Sequence, residues 1–241
     1  MKLYRNTIYF LLLTFVHTTC TYAQQSKLQL GIKIGGGITK TSDINKILVP
    51  EDYYSNYTFK DSWQGVPSAE VFVQYHPENG ILGVESGIAY WQKASKLTYD
   101  DKATLHYEVT PRYNFLGLAA MLKIYPFRHG LYIAIGGRAG ANLNSKDISY
   151  ISNQEDEQFS KYHFASASET ERLMKEKLTG RPDVSIGGGL GYEIGSHWGI
   201  DIRYYYGLVS TIKTETNDYN WVEHSNHSHN LELTASYLFN L

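Results

Sequence analysis

The chain has 241 residues, with 22 basic and 24 acidic side chains, one cysteine, and 21 tyrosines matched by 21 glycines. The near-neutral, slightly acidic balance excludes the electrostatic footprint of a nucleic-acid binder, and the lone Cys20, close to the N-terminus, excludes disulfides and thiolate metal sites from the rest of the chain. Beyond the first 23 residues no stretch reaches the roughly eighteen consecutive apolar residues of a membrane helix, so a membrane crossing would require a closed sheet.

In chain order, Lys2 and Arg5 precede the apolar run from Ile8 to Val16, and Thr21-Tyr22-Ala23 places small residues where a signal peptidase reads them, just before Gln24. Residues 1–23 read as a cleaved secretory signal peptide. The residues before Cys20 fit a lipoprotein box poorly. Residues 24–241 are then one domain, with 20 basic and 24 acidic residues.

Eight segments of that domain alternate apolar and polar residues, as strands do when their two faces meet different media. They are 28–40, 65–75, 81–92, 113–125, 131–143, 183–194, 198–208 and 231–241. In the first, Leu28, Leu30, Ile32, Ile34 and Ile38 share a face; in the last, Leu231, Leu233, Ala235, Tyr237 and Phe239 do. Connections alternate in length: tight turns at 76–80, 126–130 and 195–197, and long segments at 41–64, 93–112, 144–182 and 209–228. Aromatics collect near the strand ends, with Tyr75, Tyr125, Phe127, Tyr192, Trp198, Tyr237 and Phe239 toward the short turns and Tyr90, Trp91 and Tyr206 toward the long loops. The pattern predicts an all-β, eight-stranded antiparallel up-and-down transmembrane barrel with short periplasmic turns and long extracellular loops.

The inward faces collect Lys33, Lys123, Arg138 and Arg203 with Glu70, Glu85, Glu193, Asp201 and Glu232. Isolated charges there would be costly to desolvate, so the structural reading is a connected ion-pair network; the other reading is paired carboxylates doing acid–base work or lining a proton path. A filled interior argues against a wide porin. In the fourth loop, His224, His227 and His229 have a spacing compatible with a transition metal, or belong to a solvated polar loop. Ser228 and His229 near Glu232 are a non-specific set for a lipid-modifying enzyme. No Gly-x-Ser-x-Gly elbow, His-Glu-x-x-His or phosphate loop occurs, so no catalytic residue and no cofactor is assigned. In the third loop, Ser168-Glu-Thr-Glu171 reads as a capping box before a two-turn helix at 172–178. Tyr53, Tyr54, Tyr57, Tyr99, Tyr107, Tyr150, Tyr162 and Tyr219 offer a recognition surface on the loops.

Over nearly its full mature length the chain resembles the small outer-membrane β-barrel family of Bacteroidetes with PorT-like barrel domains, related in architecture to OmpA- and OmpX-type barrels. The residues that carry this are Gly31-Ile-Lys-Ile-Gly-Gly-Gly37, Tyr113-Asn-Phe-Leu116 leading to Leu122-Lys-Ile-Tyr-Pro126, Gly188-Gly-Leu-Gly-Tyr192 and Gly199-Ile-Asp-Ile-Arg-Tyr204. The resemblance implies residence in the outer membrane of a Gram-negative bacterium. Its expected partners are outer-membrane lipid and lipopolysaccharide, the barrel-assembly machinery through the C-terminal strand, and an envelope or surface protein. The long loops point to a structural or surface-interaction role; the resemblance also allows a subunit of an envelope or secretion assembly, and a narrow channel and a lipid-modifying enzyme are the further alternatives.

Overall fold

The computed structural model describes residues 26–48, 58–77, 80–100, 106–127, 130–153, 166–215 and 221–240; the expected signal peptide and Cys20 lie outside them. Thirteen strands occur in this range: β1 (Ser26–Thr41), β2 (Thr58–Ser62), β3 (Gln64–Pro77), β4 (Leu82–Ala94), β5 (Lys96–Asp100), β6 (His106–Ile124), β7 (Leu131–Asn142), β8 (Ile148–Ser152), β9 (Leu178–Gly180), β10 (Asp183–Ile194), β11 (Trp198–Gly207), β12 (Ile212–Thr214) and β13 (Ser228–Asn240). Helices α1 (Ile44–Leu48) and α2 (Ala167–Lys177) sit in the first and third long loops. None is long and apolar enough to cross a membrane.

Eight of the strands form a closed antiparallel ring, in the order β1, β3, β4, β6, β7, β10, β11, β13 and back to β1. Closure is made by the first and last strands, paired from Gln29 opposite Asn240 to Thr41 opposite Ser228. The alternation read from the sequence decides which face turns out. Ile34, Val71, Ile88, Leu118, Ile135, Ile186, Ile200 and Leu233 are exposed on the outer wall, while Lys33, Phe72, Glu85, Met121, Tyr132, Arg203 and Glu232 are buried inside. An apolar exterior around a polar interior is the inverse of a soluble sandwich, and it is what hydrocarbon requires of a barrel.

Two glycines show why the inner wall needs gaps. A Cβ on Gly31 would stand 2.3 Å from the Phe72 ring, and one on Gly191 would stand 2.1 Å from Tyr132. Each glycine lets an aromatic ring lie flat across the strand beside it. The turn side closes tightly, with positive φ at Gly130 and Gly195.

Four expectations change. Trp91 and Tyr125 do not join the aromatic girdles; both are fully buried, because their positions share parity with the inward residues Glu85 and Lys123. Trp63 is the exposed aromatic on the loop side that alternation did not identify. β6 begins seven residues earlier than expected: Tyr107, Val109 and Pro111 alternate with Glu108 and Thr110, continuing the parity of the buried Tyr113, and pairing with β5 and β8 holds them as strand. The third-loop helix runs from Ala167 to Lys177, and its cap is Ser166, whose Oγ accepts the Glu169 N–H at 3.2 Å; Ser166-x-x-Glu169 fits the same capping pattern two residues upstream.

Gly191→Val should displace the Tyr132 ring and cost about 1–3 kcal/mol, read as a lower urea midpoint for unfolding of the purified barrel in detergent. An unchanged midpoint would show that the ring does not depend on that gap.

Candidate functional site

The most densely built region is the barrel interior, where all nine charged residues singled out from the sequence point inward. On the turn side Glu85, from β4, is ion-paired with three cations on three other strands: Lys33 at 2.6 Å, Lys123 at 2.7 Å and Arg203 at 2.9 Å. Arg203 Nε also lies 2.8 Å from Asp201, which accepts from the Tyr132 hydroxyl and from Thr234. Glu70 sits 3.5 Å from Lys33. Glu193 accepts from Gln74 and the Tyr125 hydroxyl, with Lys123 at 3.7 Å. The rings complete the packing, since Lys33 lies over Phe72 and Lys123 over Tyr132.

A second tier lies toward the long loops. Arg138 is held between the Trp91 and Tyr205 rings and donates to Glu232 at 2.7 Å. Asp183 accepts from Trp91 Nε1 and from Lys93 at 2.6 Å, and Lys93 also donates to Ser228. Lys93 and Asp183 are network members that the sequence reading missed. Lys93 falls in the 93–112 segment expected to be a loop, although its odd position in β4 matches Glu85; Asp183 falls at the expected strand end, although it shares parity with Ser185. A cavity of about 20 Å³ separates the tiers, lined by Lys33, Ser68, Glu70, Arg138, Arg203, Tyr205, Glu232 and Thr234; being polar, it suits one or two waters. Among the described residues such packing leaves no wide aqueous path.

Above the second tier the four long loops build a common cap. One apolar cluster joins Ile44, Ile47 and Leu48 of the first loop, Leu97 and Val109 of the second, Ile148, Met174 and Leu178 of the third, and Ile212 and Trp221 of the fourth. It continues into the barrel through Trp91, Tyr113 and Phe115. β2, β5, β6 and β8 extend the barrel wall into a four-stranded sheet, and Phe59, Tyr99, Tyr107 and Tyr150 form a ladder across it with ring centroids 4.7–5.4 Å apart. Burial pushes the Tyr107 hydroxyl up from its ordinary value. These tyrosines, expected as a free recognition surface, therefore stack on one another; Tyr53, Tyr54, Tyr57, Tyr162 and Tyr219 lie outside the described residues. Asn226, fully buried, ties the fourth loop to β12 by accepting from Ile212 N–H and donating to Ile212 carbonyl.

The histidines are not gathered as a ligand set. His227 Nδ1 donates to the Gly207 carbonyl, His229 Nδ1 meets the Tyr204 hydroxyl, and the Tyr206 ring lies against both imidazoles. The His224 backbone carbonyl accepts from the Asn226 side-chain amide. Among the described residues no three His, Cys, Asp or Glu side chains are placed to hold a metal. Ser228 is buried inside the barrel while His229 takes the outward parity of Leu231, so these two do not form a nucleophile–base pair.

The family model described as outer membrane protein beta-barrel domain matches residues 22–213. No curated protein matches the sequence. Among solved structures, neisserial surface protein A aligns at 9% identity over 87% of this chain and 97% of its own, with a TM-score of 0.42. The attachment invasion locus protein of Yersinia pestis, in complex with the heparin analogue sucrose octasulfate, aligns at 14% identity over 88% of this chain and 99% of its own, with a TM-score of 0.38. The translocator domain of the autotransporter NalP from Neisseria meningitidis aligns at 12% identity over 98% and 96%, with a TM-score of 0.25.

Glu85→Ala, which strands three buried cations, should cost about 3–5 kcal/mol of unfolding free energy. Lys96→Ala, which breaks the half-exposed pair with Glu108, should cost less than about 1 kcal/mol. Equal costs in denaturant titrations of the two variants would remove the network from its stabilising role.

Proposed function

Because this chain belongs to the outer membrane protein β-barrel domain family, we propose that it is an integral outer-membrane protein, exported through a signal peptide cleaved before Gln24, whose loop-built cap faces outward and binds a partner at the cell surface. The cap carries the reading. A barrel closes through strand pairing alone, and loops tolerate shortening at small entropic cost. Four loops that converge on one apolar core, with a helix and an extended sheet, are more structure than closure demands.

The alternatives find less support. A partner on the periplasmic side, as the PorT-like resemblance implies for an assembly subunit, would meet the short turns at 76–80, 126–130 and 195–197, where the described residues build no counterpart of the cap. A channel would have to conduct through two tiers of paired side chains and the apolar floor of the cap. A lipid-modifying role would need Ser228 and His229 on one face.

Leu97→Asp and Met174→Asp introduce charges into the cap core without touching the interior network. Both variants should still fractionate with the outer membrane, begin at Gln24, and resist detergent denaturation without boiling. Their long loops should become sensitive to protease added to intact cells, and the phenotype that depends on the protein should be lost. Full complementation by a variant whose cap is cleaved would overturn the surface-binding role.

A further inference from the structure

Along β1 the outward residues Leu28, Leu30, Ile32, Ile34 and Ile38 are exposed, and the next outward position is Lys40. The climb from Leu28 to Lys40 is about 30 Å for a strand rising roughly 3.4 Å per residue at a tilt near 40°. That is the thickness of a hydrocarbon core. Lys40 thus stands where the apolar wall ends on the long-loop side, at headgroup level.

What surrounds it is set by the closing seam. Lys40 pairs with His229 on β13, and His229 pairs with Tyr206 on β11. The Tyr204 hydroxyl is 2.7 Å from His229 Nδ1; with that hydroxyl donating, the imidazole proton stays on Nε2, which has no hydrogen bond among the described residues. Tyr206 holds the arrangement from the side, its ring stacked on His227 and edge-on to His229, both with centroids 5.4 Å apart.

Lys40 is held by a longer ion pair than several other cations of the loop side. Lys96 lies 2.6 Å from Glu108, Lys46 lies 2.9 Å from Asp43, and Arg181 is in close contact with Glu223. Lys40 is ion-paired with Asp61 at 3.7 Å, longer than an ordinary hydrogen bond, so its three N–H donors are not used up there. Burial pushes the Asp61 carboxyl up from its ordinary value although Lys40 beside it pulls the other way. The ammonium therefore keeps donors for another acceptor.

We propose that Lys40, His229 and their tyrosine neighbours form a site on the lipid-facing wall for the phosphate monoester of a lipid headgroup. A compact ammonium and a neutral N–H donor side by side suit a phosphate's several acceptor oxygens, and aromatic rings beside them are the ordinary lining of a membrane interface. Free inorganic phosphate has the same chemistry, but the position of the site, directly above the apolar wall, selects the headgroup.

The full-length mature protein is placed in phosphatidylcholine nanodiscs containing either phosphorylated lipid A or its dephosphorylated form, and the lipid retained on the ejected protein is counted by native mass spectrometry. Wild type should retain the phosphorylated form preferentially. The Lys40→Ala, His229→Ala double variant should lose about fivefold or more of that preference, the scale of one basic contact at a membrane surface, while Lys40→Arg should keep most of it. Both side chains lie outside the interior network, so folding is checked by the shift between unboiled and boiled gel bands; should the double variant fail to fold, Lys40→Gln alone is compared. Equal retention of the two lipid forms by wild type, or a folded variant that behaves as wild type, would overturn the site. Displacement of the phosphorylated lipid by inorganic phosphate at matched concentration would overturn the headgroup assignment.

Discussion

Hydrocarbon offers the backbone no hydrogen-bond partner, and from this constraint the rest of the molecule follows. A sheet in that medium can leave no open edge, so β1 and β13 must find each other across the whole length of the chain. Once they do, the side-chain period of two sends every second residue into the lipid and every other one into the lumen. A shift of one residue would carry Lys33, Glu85 and Arg203 into hydrocarbon and Ile34, Ser86 and Tyr204 into the lumen. The register of closure is held by this penalty as much as by the hydrogen bonds themselves.

The lumen then poses its own problem. Eight strands enclose a space only wide enough for side chains, and charges placed there are largely cut off from solvent. They are tolerable when paired, which explains why the five cations Lys33, Lys93, Lys123, Arg138 and Arg203 each have a carboxylate within 4 Å contributed by a different strand. Because the partners come from different strands, each pair also ties one side of the ring to another. Glu85 does this three times. Near the long loops the polar filling gives way to Trp91, Tyr113 and Phe115, on which the cap core rests; cap and barrel share a floor, so the cap is positioned by the wall beneath it.

How much of this can be read from the sequence depends on the medium that each residue faces. Alternation is strong where one face meets lipid, and there the strand limits agree closely; β10 is the same segment in both, Asp183–Ile194. The faces of the nine charged residues follow from the same parity. Where a strand leaves the membrane its outward face turns polar and its inward face is capped, which hides the inward role of Lys93; the start of β6 keeps its alternation, Tyr107, Val109 and Pro111 against Glu108 and Thr110, and runs on past the membrane through pairing with β5 and β8. Parity also corrects Trp91 and Tyr125, whose aromatic character suggests an interface although their positions point inward. The cap core is illegible for a different reason: Ile47, Leu97, Ile148 and Ile212 come from four separate loops, one or two apolar residues at a time, and only their meeting in space makes them a core.

The closing seam can be tested directly by chemistry on the outer wall. Ile34 and Ala235 face each other across it, where opposed Cβ atoms lie about 4.5–5.5 Å apart and diagonal ones about 7–8 Å. In a mature chain lacking other cysteines, Ile34→Cys with Ala235→Cys should be joined efficiently by a short bifunctional thiol reagent. The product is a circularised species whose boiled gel mobility differs from that of the linear chain. Ile34→Cys with Leu231→Cys, displaced by four residues, should not be joined. Efficient linkage of the displaced pair, or no linkage of the facing pair in a folded protein, would contradict closure of the barrel in this register.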